Sequence, residues 1–204
     1  TNNKTTNRIE SLSDVPMDKW NQLSKKKICF GHQSVGFNIV DGIEDIKKLN
    51  PSINLKIIES ANSEDVKEGG LAHFRVGKNG HYDSKLDDFA TKLEANFKDD
   101  ADIAFIKFCF IDFRAGMDAK KIFSDYKQKI ADIKNKLPET RIVHLTVPLT
   151  VLQSGPKAWV KKMIGKTLGG VTDNVVRNEF NQLLTAEYSG KEPIFDIAEI
   201  ESTA

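Results

Sequence analysis

Strands alternating with amphipathic helices along most of the chain predict an α/β protein of three layers, a five-stranded parallel sheet covered by helices on both faces. Three observations carry this expectation. The stretch Asp102 to Ile111 is almost continuously apolar, as a strand buried on both faces must be. Shorter apolar runs recur along the chain, separated by segments whose apolar residues fall three or four apart. A length of 204 residues, 39% hydrophobic and 29% charged, suits one globular domain with its own core.

The elements follow in order. Val15 to Leu23 forms a short helix with Trp20 and Leu23 on one side, and Ile28-Cys29-Phe30 enters the core as the first strand. After a turn over Gly31 to Ser34, Val35, Ile39, Ile43 and Ile46 mark a helix that stops at Asn50-Pro51. Ile53 to Ile58 reads as the second strand and Gly69 to Tyr82 as a glycine-rich loop containing histidine. Leu86, Phe89, Leu93 and Phe97 give the next helix, Asp102 to Ile111 the central strand, and Ile122 to Leu137 a helix closed by Pro138. Arg141 to Val147 is the fourth strand. The connection from Leu149 to Asn174 is basic, with Lys157, Lys161, Lys162 and Lys166, and its Trp159, Met163, Ile164 and Leu168 suggest an amphipathic helix whose lysines form a solvated face. A helix over Asp173 to Tyr188 leads to the fifth strand, Pro193 to Ile197.

Composition removes several classes of function. Thirty Lys+Arg against 29 Asp+Glu leave a formal charge of +1, so the basic excess of a general nucleic-acid binder is absent. The longest apolar stretch is interrupted at Lys107, short of the roughly 18 apolar residues of a spanning helix, which argues against a membrane-embedded protein. Cys29 and Cys109 lie in apolar runs and are expected as free, buried thiols. Residues 1–13 are polar and without apolar periodicity, so a flexible segment is expected before a single domain over 14–204. The start at Thr-Asn-Asn-Lys reads as a processed terminus and suggests an exported protein, periplasmic, secreted or surface-anchored.

The chemistry centres on Phe30-Gly31-His32-Gln33-Ser34-Val35-Gly36, where the first strand ends and a helix begins. Ligands of open α/β sheets bind beyond the carboxyl ends of the strands. A serine here has its Oγ beside unpaired N–H groups at the positive end of a helix, where developing negative charge is favoured. Ser34 is therefore either a nucleophile or an N-cap, a position serine also fills well.

In the order of its motifs the chain resembles the SGNH (GDSL-type) hydrolase family. His32-Gln33-Ser34 stands where that family carries Gly-Asp-Ser, Val76-Gly77-Lys78-Asn79-Gly80 where it carries a glycine-bearing block, and Phe108-Cys109-Phe110-Ile111-Asp112 where it carries Gly-x-Asn-Asp. Asn174, Arg177, Phe180 and Asn181, then Pro193-Ile194-Phe195-Asp196, look like its last helix and fifth strand. The resemblance implies a flavodoxin-like strand order and serine-dependent hydrolysis of an ester, a carbohydrate O-acyl group or another small acyl ester. It implies Ser34 as nucleophile and the N–H groups of Ser34 and Gly80 as oxyanion donors, with Asn79 or Gln33 as a third. It requires no metal and no organic cofactor. Oligomeric state is not legible.

Three departures matter. Gln33 replaces the aspartate before the serine, and Ile111 stands where the asparagine would point an N–H at the oxyanion. The family's Asp-x-x-His pair follows the fifth strand, whereas no histidine follows His144 here. A serine hydroxyl is a poor nucleophile without a base. The base is then expected beyond Ala204, or is another of the four histidines, or the site binds without turnover as a non-catalytic glycan- or ligand-binding domain. His32 is too close in sequence to face Ser34 and is expected to support it indirectly. His73 and His81 flank the second block and could reach the pocket, and His144 reads as a hydrogen-bonded core residue. Asp112 is either a pocket carboxylate or a loop-fixing residue beside Arg114. The spacing of His73, His81 and Asp83 matches no familiar metal motif, and no metal is expected.

Overall fold

The fold is organised around β1 (Lys27–His32), in which every residue after Lys27 is buried. A computed structural model of the chain describes residues 14–98, 100–151, 163 and 170–203. In it β1 pairs in parallel with β3 (Gly70–Arg75) on one side and β4 (Ile103–Ile106) on the other. With β2 (Ile57–Glu59) and β5 (Arg141–Ile142) they form a five-stranded parallel sheet of order β2-β3-β1-β4-β5. Leaving aside the short edge strand β2, the order reverses at β1, as in a flavodoxin-like sheet. The carboxyl ends of β1 and β4 therefore diverge, which opens a crevice there.

The helices α1 (Met17–Leu23) and α2 (Gly36–Leu49) lie on one face, and α3 (Tyr82–Asn96), α4 (Ala119–Lys136) and α5 (Val171–Tyr188) on the other. Alternation along β1 explains the division: Ile28 and Phe30 join Val40, Ile53, Leu55 and Leu71, while Cys29 meets Ala72, Phe89, Leu93 and Ala104. Each fully buried Phe or Leu contributes about 1.5–3 kcal/mol relative to exposure. Gly31 is required by close approach, because a Cβ there would lie 2.5 Å from the Phe89 ring.

Several expectations need correction. The glycine-rich loop read over Gly69 to Tyr82 begins with a strand, β3. Gly69 closes the turn before it and Gly70 is its first residue, with φ of +102° and +137°, and Leu71 to Phe74 are buried sheet residues. The centre of the sheet is β1, and β4 covers only four residues of the stretch Asp102 to Ile111. Beyond Ile106 the chain leaves the sheet and Phe110–Asp112 coil into a 3-10 turn, because the Asp112 carboxylate folds back onto the Cys109 N–H at 2.7 Å. The strand expected over Arg141 to Val147 changes partner midway. Val143 donates to Ala104 and His144 to Pro193, so β6 (His144–Leu145) pairs with β7 (Ile194–Phe195) in a separate two-stranded parallel sheet. The fifth strand is thus shorter than expected, and Ile197–Thr203 forms a helix, α6.

Cys29 and Cys109 are buried free thiols. No helix among the described residues is long and apolar enough to cross a membrane. The polar segment 1–13 and the lysine-rich part of the connection, with Lys157, Trp159, Lys161, Lys162, Ile164, Lys166 and Leu168, lie outside the described residues.

Candidate active site

Ser34 sits in the three-residue elbow between β1 and α2. The turn is closed by Gly36 N–H donating to the Gln33 carbonyl at 2.7 Å and by Phe37 N–H donating to the Ser34 carbonyl at 3.1 Å. Ser34 is exposed, and among the described residues nothing hydrogen-bonds its hydroxyl. It is not the N-cap of α2: that position is Val35, and no side chain caps the helix. The N–H groups of Ser34 and Val35 also have no hydrogen-bond partner among the described residues. They lie at the positive end of a 14-residue helix.

Beside this elbow lies a cavity of about 870 Å³, lined by Val35, Phe110, Pro148, Leu149, Thr150, Val151, Val171, Asn174 and Glu201 among others. Its wall is held by α5. The Arg177 guanidinium, 2% exposed, donates to the Phe110 carbonyl at 3.0 Å, to Thr150 Oγ1 at 2.8 Å and to Asn174 Oδ1 at 2.7 Å. Asn174 exchanges hydrogen bonds with both backbone groups of Thr150, and Asn181 does the same with Val147. Asn174, Arg177 and Asn181 thus fall on one helical stripe that stitches the strand ends together.

Of the remaining expected donors, Gln33 and Gly80 are engaged elsewhere. Both Gln33 amide hydrogens donate to carbonyls, of Val76 and Gly77, at 2.8 Å each, so this side chain clasps the β3–α3 loop and faces no substrate. The Gly80 N–H donates to Asp112 Oδ1 at 2.7 Å. Asn79 is exposed at the loop tip, with its Oδ1 accepting from Lys85 at 3.0 Å. Ile111 is partly exposed and brings no donor.

Asp112 is not a pocket carboxylate. It is fully buried, with Oδ2 accepting from Lys85 Nζ at 2.5 Å and from the Cys109 N–H at 2.7 Å, so its loop-fixing partner is Lys85 and not Arg114. Arg114 instead donates to the Ile111 carbonyl and lies close against Gly80.

The histidines separate cleanly. His32 is fully buried against Phe30 and Phe37, with Nδ1 2.8 Å from the Gln33 carbonyl and Nε2 3.0 Å from His73 Nδ1. It therefore touches the elbow from behind. Burial holds the imidazoles of both His32 and His73 below their ordinary pKa. His73 lies in β3 facing α2, while His81 is exposed before α3, so the two do not share a site. His144 is a core residue bonded to Tyr126 and Glu192 and stacked on Tyr188 at 3.6 Å.

Sequence reasoning missed Lys85 and Lys107. Lys85 lies four residues before Phe89 on the apolar stripe of α3, a spacing that could have disclosed its burial. Lys107, just past β4, is 2% exposed, and among the described residues its Nζ hydrogen-bonds only the Phe108 carbonyl, at 3.4 Å. Burial lowers its pKa. Its signal was the single charge within the longest apolar stretch.

No family model and no curated protein sequence matches the chain. Among solved structures it is similar to a protein of Streptococcus pneumonia described as a candidate platelet activating factor, at 11% identity and a TM-score of 0.48, over 90% of this chain and 73% of that one. It is also similar to an extracellular lipase of Streptomyces rimosus, at 10% identity and a TM-score of 0.47, over 87% of this chain and 82% of that one. At these values neither assigns a role to any residue here.

Proposed function

We propose that the protein is a serine-dependent ester hydrolase of the SGNH type, acting on a small acyl ester or a carbohydrate O-acyl group, with Ser34 as nucleophile. The observation that carries this reading is the Ser34 elbow: an exposed hydroxyl at the carboxyl end of the central strand, and N–H groups at Ser34 and Val35, none of them hydrogen-bonded among the described residues, beside a cavity. In the reaction, Ser34 Oγ attacks the acyl carbonyl while its proton passes to a base, and the new C–O bond places negative charge on the former carbonyl oxygen. The Ser34 N–H, with that of Val35, is suited to receive this oxyanion. The Gly80 N–H leaves the donor set because Asp112 engages it. His32 and His144 have both ring nitrogens engaged in the interior, so neither is the base in this proposal.

The test is hydrolysis of p-nitrophenyl acetate by the protein and by Ser34→Ala, a substitution at an exposed position. Turnover that disappears in the variant supports the reading, and equal turnover removes Ser34 as nucleophile.

A second reading, a glycan- or ligand-binding domain without turnover, is favoured by one observation: no imidazole or carboxylate among the described residues bonds the Ser34 hydroxyl. Saturable binding of an acetylated oligosaccharide, unchanged in Ser34→Ala and accompanied by no acetate release, would select it.

A further inference from the structure

Behind the Ser34 elbow two imidazoles meet edge to edge. His32 Nε2 lies 3.0 Å from His73 Nδ1, and His32 Nδ1 lies 2.8 Å from the Gln33 carbonyl oxygen. A carbonyl can only accept, so His32 must carry its proton on Nδ1. Its Nε2 is then the acceptor, which obliges His73 to donate from its own Nδ1. The hydrogen-bond network thus assigns the same Nδ1–H tautomer to both rings and gives the contact a direction, from His73 through His32 to Gln33.

The end of this chain is what makes it functional. The Gln33 carbonyl and the Ser34 N–H are two ends of one planar peptide unit. That carbonyl also receives the Gly36 N–H at 2.7 Å, so it accepts two hydrogen bonds on the side away from the substrate. Each bond draws electron density toward the oxygen and leaves the Ser34 N–H a stronger donor, as hydrogen bonds in series polarise one another. They also fix the peptide plane, and with it the direction of the N–H. The packing confines the ring: a Cβ on Gly36 would lie 2.3 Å from His32, and Phe37 meets both imidazoles edge-on, at 4.8 Å and 5.6 Å between ring centres.

We propose that His73 and His32 are positioning residues for Ser34, a directional imidazole pair that orients and polarises the Gln33–Ser34 peptide so that its N–H serves the oxyanion. This rests on Ser34 being the nucleophile. Neither ring touches substrate, and both act through the Gln33 carbonyl.

The first measurement needs no activity and no variant. In 15N-labelled protein at neutral pH the imidazole shifts report the tautomer, and Nδ1–H is expected on both His32 and His73. An Nε2–H tautomer on His32 would overturn the proposal. The second compares His32→Asn, whose amide nitrogen can replace Nδ1 toward Gln33, with His32→Leu, which cannot donate. In p-nitrophenyl acetate hydrolysis His32→Leu is expected to lower kcat roughly two- to tenfold at nearly constant KM, the worth of about one hydrogen bond, while His32→Asn stays close to the parent. Equal losses in both variants, or a change in KM alone, would reduce His32 to packing. If the parent shows no Ser34-dependent hydrolysis, the function reading fails by itself. The pair is then judged by the tautomers and by the Ser34 amide 15N shift, which must move in His32→Leu and hold in His32→Asn, an unmoved shift in His32→Leu refuting it.

Discussion

Lys85 and Asp112 form an ion pair 2.5 Å long in which neither side chain has any solvent exposure. It joins α3 to the turn after β4, and through Asp112 Oδ1 it also holds the Gly80 N–H. Removing one partner leaves a buried charge uncompensated, which costs about 3–5 kcal/mol, whereas replacing both with apolar groups can be close to neutral. Lys85→Met is therefore expected to lose several kcal/mol in urea unfolding and Lys85→Met/Asp112→Asn, which removes the buried charge yet keeps an acceptor oxygen for the backbone N–H groups, less. A double variant no more stable than the single would contradict this account.

Gly36 marks the tightest contact in the elbow. A methyl group there would meet the His32 ring at 2.3 Å, so Gly36→Ala should destabilise the protein by about 1–3 kcal/mol despite the higher helix propensity of alanine. Thermal unfolding checks it, and an unchanged or raised Tm would show that the ring can move aside.

Acid should weaken the fold before its carboxylates titrate. Burial holds His32, His73 and His144 below the ordinary value of 6.5, although Glu192 opposes the shift at His144. The unfolded chain then binds protons first as pH falls, so stability is complete above about 6.5 and declines below it until the folded-state pKa values are passed. Urea midpoints measured at pH 7.5 and 5.5 should fall at the lower pH, and His144→Gln should flatten part of that dependence.

The thiols should be inert in the native state. Burial pushes the Cys29 thiol upward, and Cys109 is also buried. A thiol reagent such as DTNB is expected to label neither within minutes at pH 8 and both in urea. Rapid native labelling of either would show that the core opens locally.

Arg177 tests the cavity wall. Its fork reaches three oxygens on three segments, a geometry that a lysine ammonium cannot reproduce. Arg177→Lys should lose about 1.5–3 kcal/mol, the worth of a hydrogen bond to a charged group, when read by chemical unfolding.

Strand–helix alternation, the burial of β1 and the helical stripes of α2, α3 and α4 could be read from the order of residues, because burial pattern follows local periodicity. So could the placing of Ser34 at a strand-to-helix elbow, and His144 as a core residue. The strand β3 escaped because the two adjacent glycines at its start, Gly69 and Gly70, read locally as a loop. What each polar side chain does at the site also escaped. Gln33, Gly80 and Asp112 all stand in motif positions, yet their partners, Val76 and Gly77, Asp112, and Lys85, come from segments up to 44 residues away. The choice between donating to a substrate and donating to the protein is made by those long-range neighbours. Sequence alone therefore determined the layered α/β architecture and the serine at its crevice. Tertiary structure decided which N–H groups stay unengaged and joined His32 to His73, since a hydrogen bond depends on distance and direction in space, which local periodicity does not encode.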